Sequence, residues 1–370
     1  MLRLKRISAW LLLVMIPSVL FGAEEGDSVP RRQNIFRAIG HAAIRFMEEF
    51  DHIDTTYIEP QAYNFTTMLQ NTNTYESYRF STRDGNMSIK LSPDPSYRMG
   101  PYFGYRWAFL GYTFDVAHVF SGSARQNRTE WDFSLYSSMF GIDFFWRNMG
   151  NGYKIKDLKF NGDESVEMLK GSEYKGFSSS LRGVNVYYIF NHRKFSYPAA
   201  YSQSNVQRRS AGSALVGLGF TRHTMYLNLS DLVEMVRTPE NSDELNHATD
   251  GVNLDLKYKY LDISASGGYS YNWVFARNCL FNASLSAAIG YKSTSSDIDG
   301  QSKYFTDFKL KNFNVDCVGR FAILYNNMRW FAGLSAILHT YQYDKDQIST
   351  SNINGVLNFY VGFNFGRRKR

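Results

Sequence analysis

Hydrophobic and polar residues alternate with a period of two along much of the chain. Between Asn352 and Phe365, Ile353, Leu357, Phe359, Val361, Phe363 and Phe365 fall on one side, and Asn352, Asn354, Asn358 and Asn364 on the other. Successive side chains of a strand point to opposite faces, so the pattern predicts a strand with one apolar and one amide-rich face. Phe281, Ala283, Leu285, Ala287, Ile289 and Tyr291 repeat it against Asn282, Ser284, Ser286 and Lys292. Trp131, Phe133 and Leu135 oppose Glu130, Asp132 and Ser134, and Phe313, Val315, Cys317, Phe321 and Ile323 oppose Asn314, Asp316 and Arg320.

Read this way, the chain carries strands near 62–70, 74–82, 86–92, 98–106, 108–117, 129–137, 139–148, 181–196, 211–227, 252–275, 279–292, 309–325, 330–343 and 352–365. Arg277-Asn278, Asn326-Asn327 and Arg106-Trp107 are the predicted tight turns. Longer polar connections fall near 117–128, 149–180, 228–251, 293–308 and 344–351. Long strands with aromatic ends, joined alternately by short and long connections, point to an all-β fold. The architecture expected is an antiparallel transmembrane β-barrel of the outer-membrane type, with 12–14 strands. Short turns of such barrels face the periplasm, and counting back from the last strand puts the N-terminus there too. A soluble β-rich periplasmic protein is the alternative, because a sandwich also has one buried face.

The start of the chain supports export. Arg3, Lys5 and Arg6, an apolar run from Ile7 to Phe21, and Gly22-Ala23 have the layout of a secretory signal peptide. Domain boundaries follow: a signal peptide over 1–23, a periplasmic segment over 24–60, the barrel over 61–366 and a basic tail over 367–370. Within the second, Ile35, Ile39, Ala43, Phe46 and Phe50 share one stripe and predict a short amphipathic helix over Asn34–Phe50. It either packs near the periplasmic mouth or docks a periplasmic partner protein.

Charge and motifs then narrow the chemistry. The formal charge is +7, but Arg3, Lys5 and Arg6 leave with the signal, and Arg367, Arg368, Lys369 and Arg370 carry what remains. The body is near neutral, which argues against nucleic acid as a partner. There is no P-loop, GxGxxG, HExxH or GxSxG stretch, so no cofactor and no catalytic residue is assigned. Asp243, Glu244 and Asp250 lack EF-hand spacing, and no metal is expected. Cys279 and Cys317 sit about 25 Å apart along neighbouring strands and are expected to be free thiols.

One stretch concentrates polar chemistry: YYIFNHRKFSYPAAYSQSNVQRRSAGS, from Tyr187 to Ser213. Continuing the strand to Ser196 puts His192, Lys194 and Ser196 on the lipid side, just past the hydrocarbon band, and Asn191 and Arg193 on the inner side. The link that follows, with Ser202, Ser204, Arg208 and Arg209, is long for the short-turn side and is expected to fold into the mouth as a constriction or plug. A hydrolase pair of His192 and Ser196 is disfavoured, because residues four apart on a strand lie roughly 13 Å apart; a chain reversal would let Ser204 approach His192, but nothing in the spacing requires it. The candidate lumen residues are Asp115, Glu130, Asp132, Asp143, Asp316 and Arg320, joined by Arg193. Their mixed signs predict ion pairs that fill the interior, or a weakly selective path.

Several phrases together resemble a known family: DTTYIEPQAYNF, MLQNTNTYESYRF, GPYFGYRWAFLGYTFD, VYYIFNHRKFSYPAAYSQS and YSYNWVFARNCLFNASLSAAIGYK. They resemble the Bacteroidota outer-membrane family numbered forty-four twenty-one among the domains of unknown function. The resemblance spans nearly all of the chain after the signal and implies an outer-membrane β-barrel, with no activity to carry over. Its partners would be outer-membrane lipid and, during biogenesis, the barrel-assembly machinery. Phe365 is followed by GRRKR, a departure from the terminal aromatic residue on which many such barrels end. The function expected is a passive narrow channel or a barrel whose loops bind a ligand or partner. Lipid or acyl hydrolysis and a purely structural barrel are the alternatives.

Overall fold

A computed structural model describes residues 53–82, 87–105, 108–111, 114–115, 128–150, 152–160, 169–236, 255–295, 313–345 and 348–368. The expected helix over Asn34–Phe50, and Asp243, Glu244 and Asp250, lie outside these residues. No helix among those described is long and apolar enough to cross a membrane.

A short strand, β1 (Ile58–Pro60), precedes the wall. The first wall strand, β2 (Tyr63–Thr82), is continuous where two strands were expected, because its ladder with the last strand runs unbroken. It is followed by β3 (Met87–Pro93), β4 (Ser96–Tyr105), β5 (Ala108–Gly111) and β6 (Phe114–Asp115). Then come β7 (Arg128–Tyr136), β8 (Phe140–Met149), β9 (Tyr153–Phe160), β10 (Glu173–Tyr174) and β11 (Phe177–Ile189). Helix α1 (Tyr197–Tyr201), β12 (Asn205–Gln207), β13 (Ala211–Asn228) and α2 (Leu229–Val236) lead into the long C-terminal strands. These are β14 (Asp255–Ala276), β15 (Cys279–Ser295), β16 (Phe313–Asn326), β17 (Trp330–Lys345) and β18 (Ile348–Arg367).

The wall runs β7-β8-β11-β13-β14-β15-β16-β17-β18-β2-β4, with β5 and β6 as two pieces of one further strand on β4. Every neighbour is antiparallel. β2 and β18, the first and last of these strands in chain order, pair from Tyr63↔Arg367 to Thr82↔Ile348, and the edges of the wall among the described residues are β7 and the β5–β6 pieces. Among the described residues this order holds 12 strands when β5 and β6 count as one; β3, β9 and β10 belong to the same sheet and, with β5 and β6 counted separately, bring it to 16. The sheet curls on itself, since side chains of β8 and β16, or of β2 and β11, meet across its interior.

At one end, the turn end, lie Arg277-Asn278 and the turn between Asn326 and Trp330, together with the start of β2 and the end of β18. Asn278 and Met328 take the left-handed backbone these turns need. The opposite, loop end is built differently from expectation. The segment expected as a loop over 149–180 contains β9 and β10, and β9 pairs with β3. There β3 and β9 extend the wall beside the upper part of β2, where β8 stops at Met149. The expected loop over 344–351 is strand at both its ends, because β17 and β18 pair out to Lys345↔Ile348.

The two faces of the wall differ as a membrane barrel requires. Trp131, Leu218 and Leu285 point outward and are 66%, 69% and 66% exposed. His223, Asn272, Asn282, Lys292 and Asn352 point inward and are essentially inaccessible. Aromatic residues ring the turn end, with Phe65 stacked on Phe365, and Trp273 and Trp330 exposed beside them. Apolar outside, polar inside and an aromatic girdle identify a transmembrane β-barrel of the outer-membrane type.

Candidate functional site: a lumen closed at both ends

At the turn end the chain does not continue as a strand to Ser196. β11 stops at Ile189, and Lys194 N–H and Phe195 N–H both donate to the Asn191 carbonyl, forming a turn. His192 is therefore buried instead of facing lipid headgroups, with Nδ1 3.3 Å from the Ile189 carbonyl. Arg193 and Lys194 are exposed on the turn, so Arg193 does not line the lumen. The expectation failed because strand parity cannot be extended past a chain reversal.

Ser196 then caps α1. Its Oγ accepts from Ala199 N–H at 3.1 Å and donates to Asn205 Oδ1 at 2.7 Å, and Pro198 stands in the first turn, where no N–H is needed. The helix enters the barrel mouth. Tyr197 OH lies 2.6 Å from Ser284 Oγ, Tyr201 OH donates to Asn282 Oδ1 at 2.7 Å, and Gln203 Nε2 donates to Tyr360 OH at 3.0 Å. Asn272 Nδ2 donates to the Ser196 carbonyl at 2.8 Å. Ala199 and Ala200 pack on Leu280, Ala322 and Leu324 of the wall. Ser202, the C-cap of α1, donates its Oγ to the Pro198 carbonyl at 3.2 Å and lies 3.2 Å from Ser204 Oγ.

The N-terminal segment is stitched to this plug. β1 pairs with β12 over Ile58↔Gln207 to Pro60↔Asn205. Arg208 forms an ion pair with Glu59 and donates to Asn278 Oδ1 at 2.7 Å. Lys194 and Arg209 lie over the Tyr57 ring, at 5.2 Å and 5.8 Å from its centroid. Asp54 N–H donates to the Arg193 carbonyl. Hydrogen bonds from Thr56 hold the Asp54 carboxyl below its ordinary range, helped by Lys194 and Arg209. Gln207 ties the parts together: its Oε1 accepts from Ser196 N–H and Asn272, and its Nε2 donates to the carbonyls of Lys194 and Arg209.

Above the plug lies a polar band. Arg320 Nη2 on β16 meets Asp143 Oδ2 on β8 at 2.5 Å, with the guanidinium over the Tyr187 ring. Ser134 Oγ donates to the other carboxylate oxygen at 2.7 Å. Tyr187 fits because Gly141 faces it; a Cβ there would lie 2.1 Å from its ring. Asp316 pairs with Lys292 at 3.0 Å, and Lys292 also donates to the Gln342 carbonyl. Asp115 is half-buried on β6, and the side chains of Glu130 and Asp132 lie outside the described ones.

Two features escaped sequence reasoning. At the loop end, Tyr78, Leu91, Tyr153, Phe177, Met225 and Leu232 belong to one apolar cluster that caps the lumen. Beneath it runs a buried polar chain: Tyr78 OH, Ser179 Oγ, His223 and Tyr260 OH, with Ser179 Oγ 2.9 Å from His223 Nε2 and Tyr260 OH 2.5 Å from Nδ1. The sequence did carry a signal for His223, which alternates with outward Leu218 and Phe220 on one strand and so must point inward.

Residues 52–365 match a family described as Domain of unknown function (DUF4421). No curated protein matches the chain. Among solved structures, the translocator domain of the autotransporter NalP from Neisseria meningitidis is 7% identical with a TM-score of 0.29, covering 90% of this chain and 98% of that one. The toluene transporter TodX of P. putida is 10% identical with a TM-score of 0.24, covering 82% and 91%. Outer membrane protein OprG from Pseudomonas aeruginosa is 9% identical with a TM-score of 0.24, covering 84% and 99%. Likenesses at such TM-scores carry no weight, and the barrel rests on its own pairing and burial.

Proposed function

Because the chain belongs to the DUF4421 family, whose function is not established, its own geometry has to supply one, and we propose a gated outer-membrane passage. The observation that carries this reading is the link from Phe190 to Ser210, folded into the mouth and joined to the wall largely through neutral hydrogen bonds. Tyr197 with Ser284, Tyr201 with Asn282, and Gln203 with Tyr360 are pairs that water can replace when the plug withdraws. The apolar cap at the loop end is the second closure. In this reading the turn end faces the periplasm, where β2 begins and short turns belong.

Planar-bilayer recording tests it. The wild-type barrel is expected to conduct rarely, and a variant with Tyr197–Ser204 replaced by a Gly/Ser linker to show larger, more frequent openings. Equal, negligible conductance from both sinks the proposal. The reading assigns no catalysis, so purified protein is expected to release no fatty acid from phospholipid vesicles.

A further inference from the structure

Tyr197 and Tyr201 occupy the lumen much as a bound ligand would. Their rings stack on each other at 5.4 Å and 26°. Both also lie on Tyr136 of β7, at 5.9 Å and 7° for Tyr197 and at 5.6 Å for Tyr201. Each presents a hydroxyl to the opposite wall, where Ser284 and Asn282 are buried. We infer that this place is a subsite for a neutral ring bearing hydroxyl groups, a saccharide or a phenolic compound, filled by such a ligand when the plug withdraws.

The wall dictates that chemistry. Asn282 Nδ2 is committed to Ser270 Oγ at 3.0 Å and Asn272 Oδ1 at 2.7 Å, so only its Oδ1 is offered to a ligand. A carbonyl oxygen only accepts, and it therefore asks for an O–H or N–H at the ring's edge. Tyr136 supplies a flat face on which a ring stacks. The nearby charges, Asp143 and Arg320, neutralise each other, so the site exerts no net pull on an ion. A bare hydrocarbon ring would bury the Asn282 acceptor without a partner, a cost that discriminates against it.

This inference rests on the gated-passage reading, and the test separates the two. Tyr197→Ala with Tyr201→Ala empties the two ring positions while leaving the rest of the plug, and the Gly/Ser plug replacement empties them independently should that double variant not fold. Binding of p-cresol, methyl β-glucopyranoside and toluene to the purified, folded barrel is measured by calorimetry. Saturable binding of p-cresol or the glucoside, absent from wild type and about tenfold weaker for toluene, is the expected result. The first two probes distinguish a phenolic from a saccharide ligand. Asn282→Leu should abolish the preference over toluene. Binding of none of the three, or equal binding of p-cresol and toluene, overturns the inference even if the plug replacement conducts. Retained binding without conductance removes the passage reading alone.

Discussion

Arg320 and Asp143 close the barrel's interior from opposite walls, Nη2 to Oδ2 at 2.5 Å, with β11, β13, β14 and β15 between their strands. Such a contact requires the two walls to approach within the reach of one arginine, so the pair narrows the lumen at this level. Both side chains are nearly sealed, at 5% and 11% exposure. Replacing one member should leave an uncompensated buried charge. Arg320→Met is expected to destabilise the folded barrel by about 3–5 kcal/mol. Asp143→Asn should cost as much, and the double variant distinctly less than the two together. Urea unfolding followed by tryptophan fluorescence measures all three. Additive losses would mean that the pair is solvated and uncoupled.

Gln207 is the knot of the plug. Its amide is almost wholly buried and satisfies Ser196 N–H, Asn272 and the carbonyls of Lys194 and Arg209. Gln207→Ala orphans these groups at about 1–3 kcal/mol. The loss falls on the plug and not on the wall. The variant is therefore expected to keep its unfolding midpoint while a cysteine at Ser202 reacts with maleimide several-fold faster. A lowered midpoint with unchanged labelling would show that the plug is no separate unit.

The N-terminal segment should act as the plug's tether. Glu59 and Val206 are opposed on β1 and β12, within the separation a disulfide tolerates across antiparallel strands. Glu59→Cys with Val206→Cys is expected to oxidise spontaneously and to silence the rare openings of the barrel, which return on reduction. Openings that persist in the oxidised protein would place the moving part elsewhere.

How much of this was legible in the sequence depends on the range of the forces involved. Alternation across β15, β16 and β18 is local, since neighbouring residues face lipid or lumen, and it marked inward Asp316 and Arg320 correctly. The extended ladder of β17 and β18 and the β3–β9 pairing were not legible, because register between distant segments leaves no periodic trace in either one. His192 was misplaced for a related reason. The bond from Phe195 N–H to the Asn191 carbonyl reverses the chain, and parity carries no information beyond a turn. The partner of Arg320 was hidden because contacts across a lumen depend on barrel circumference, which no single strand encodes.

The outer face supplies the remaining tests. Cys279 pairs in register with Tyr325, and Cys317 with Ala287 eight positions further along β15, so the two half-buried thiols stay too far apart to bridge. Non-reducing electrophoresis with mass mapping should find both alkylatable and no 279–317 disulfide. Such a bridge would require a different register for β15 and β16.

Charge on the same face should cost most where the hydrocarbon is deepest. Leu218 stands mid-strand on β13 and Leu285 on β15, both outward and highly exposed, whereas Phe275 lies beside the Arg277-Asn278 turn. A guanidinium at the midplane has no water to solvate it, and near the rim it reaches headgroups. Leu218→Arg and Leu285→Arg are thus expected to destabilise the barrel in lipid vesicles by about 2–4 kcal/mol, and Phe275→Arg by about 0–1 kcal/mol for the charge. In a soluble protein these exposed positions would accept arginine at little cost. Equal, small effects at all three positions would therefore remove the bilayer from the account of why so many apolar side chains point outward.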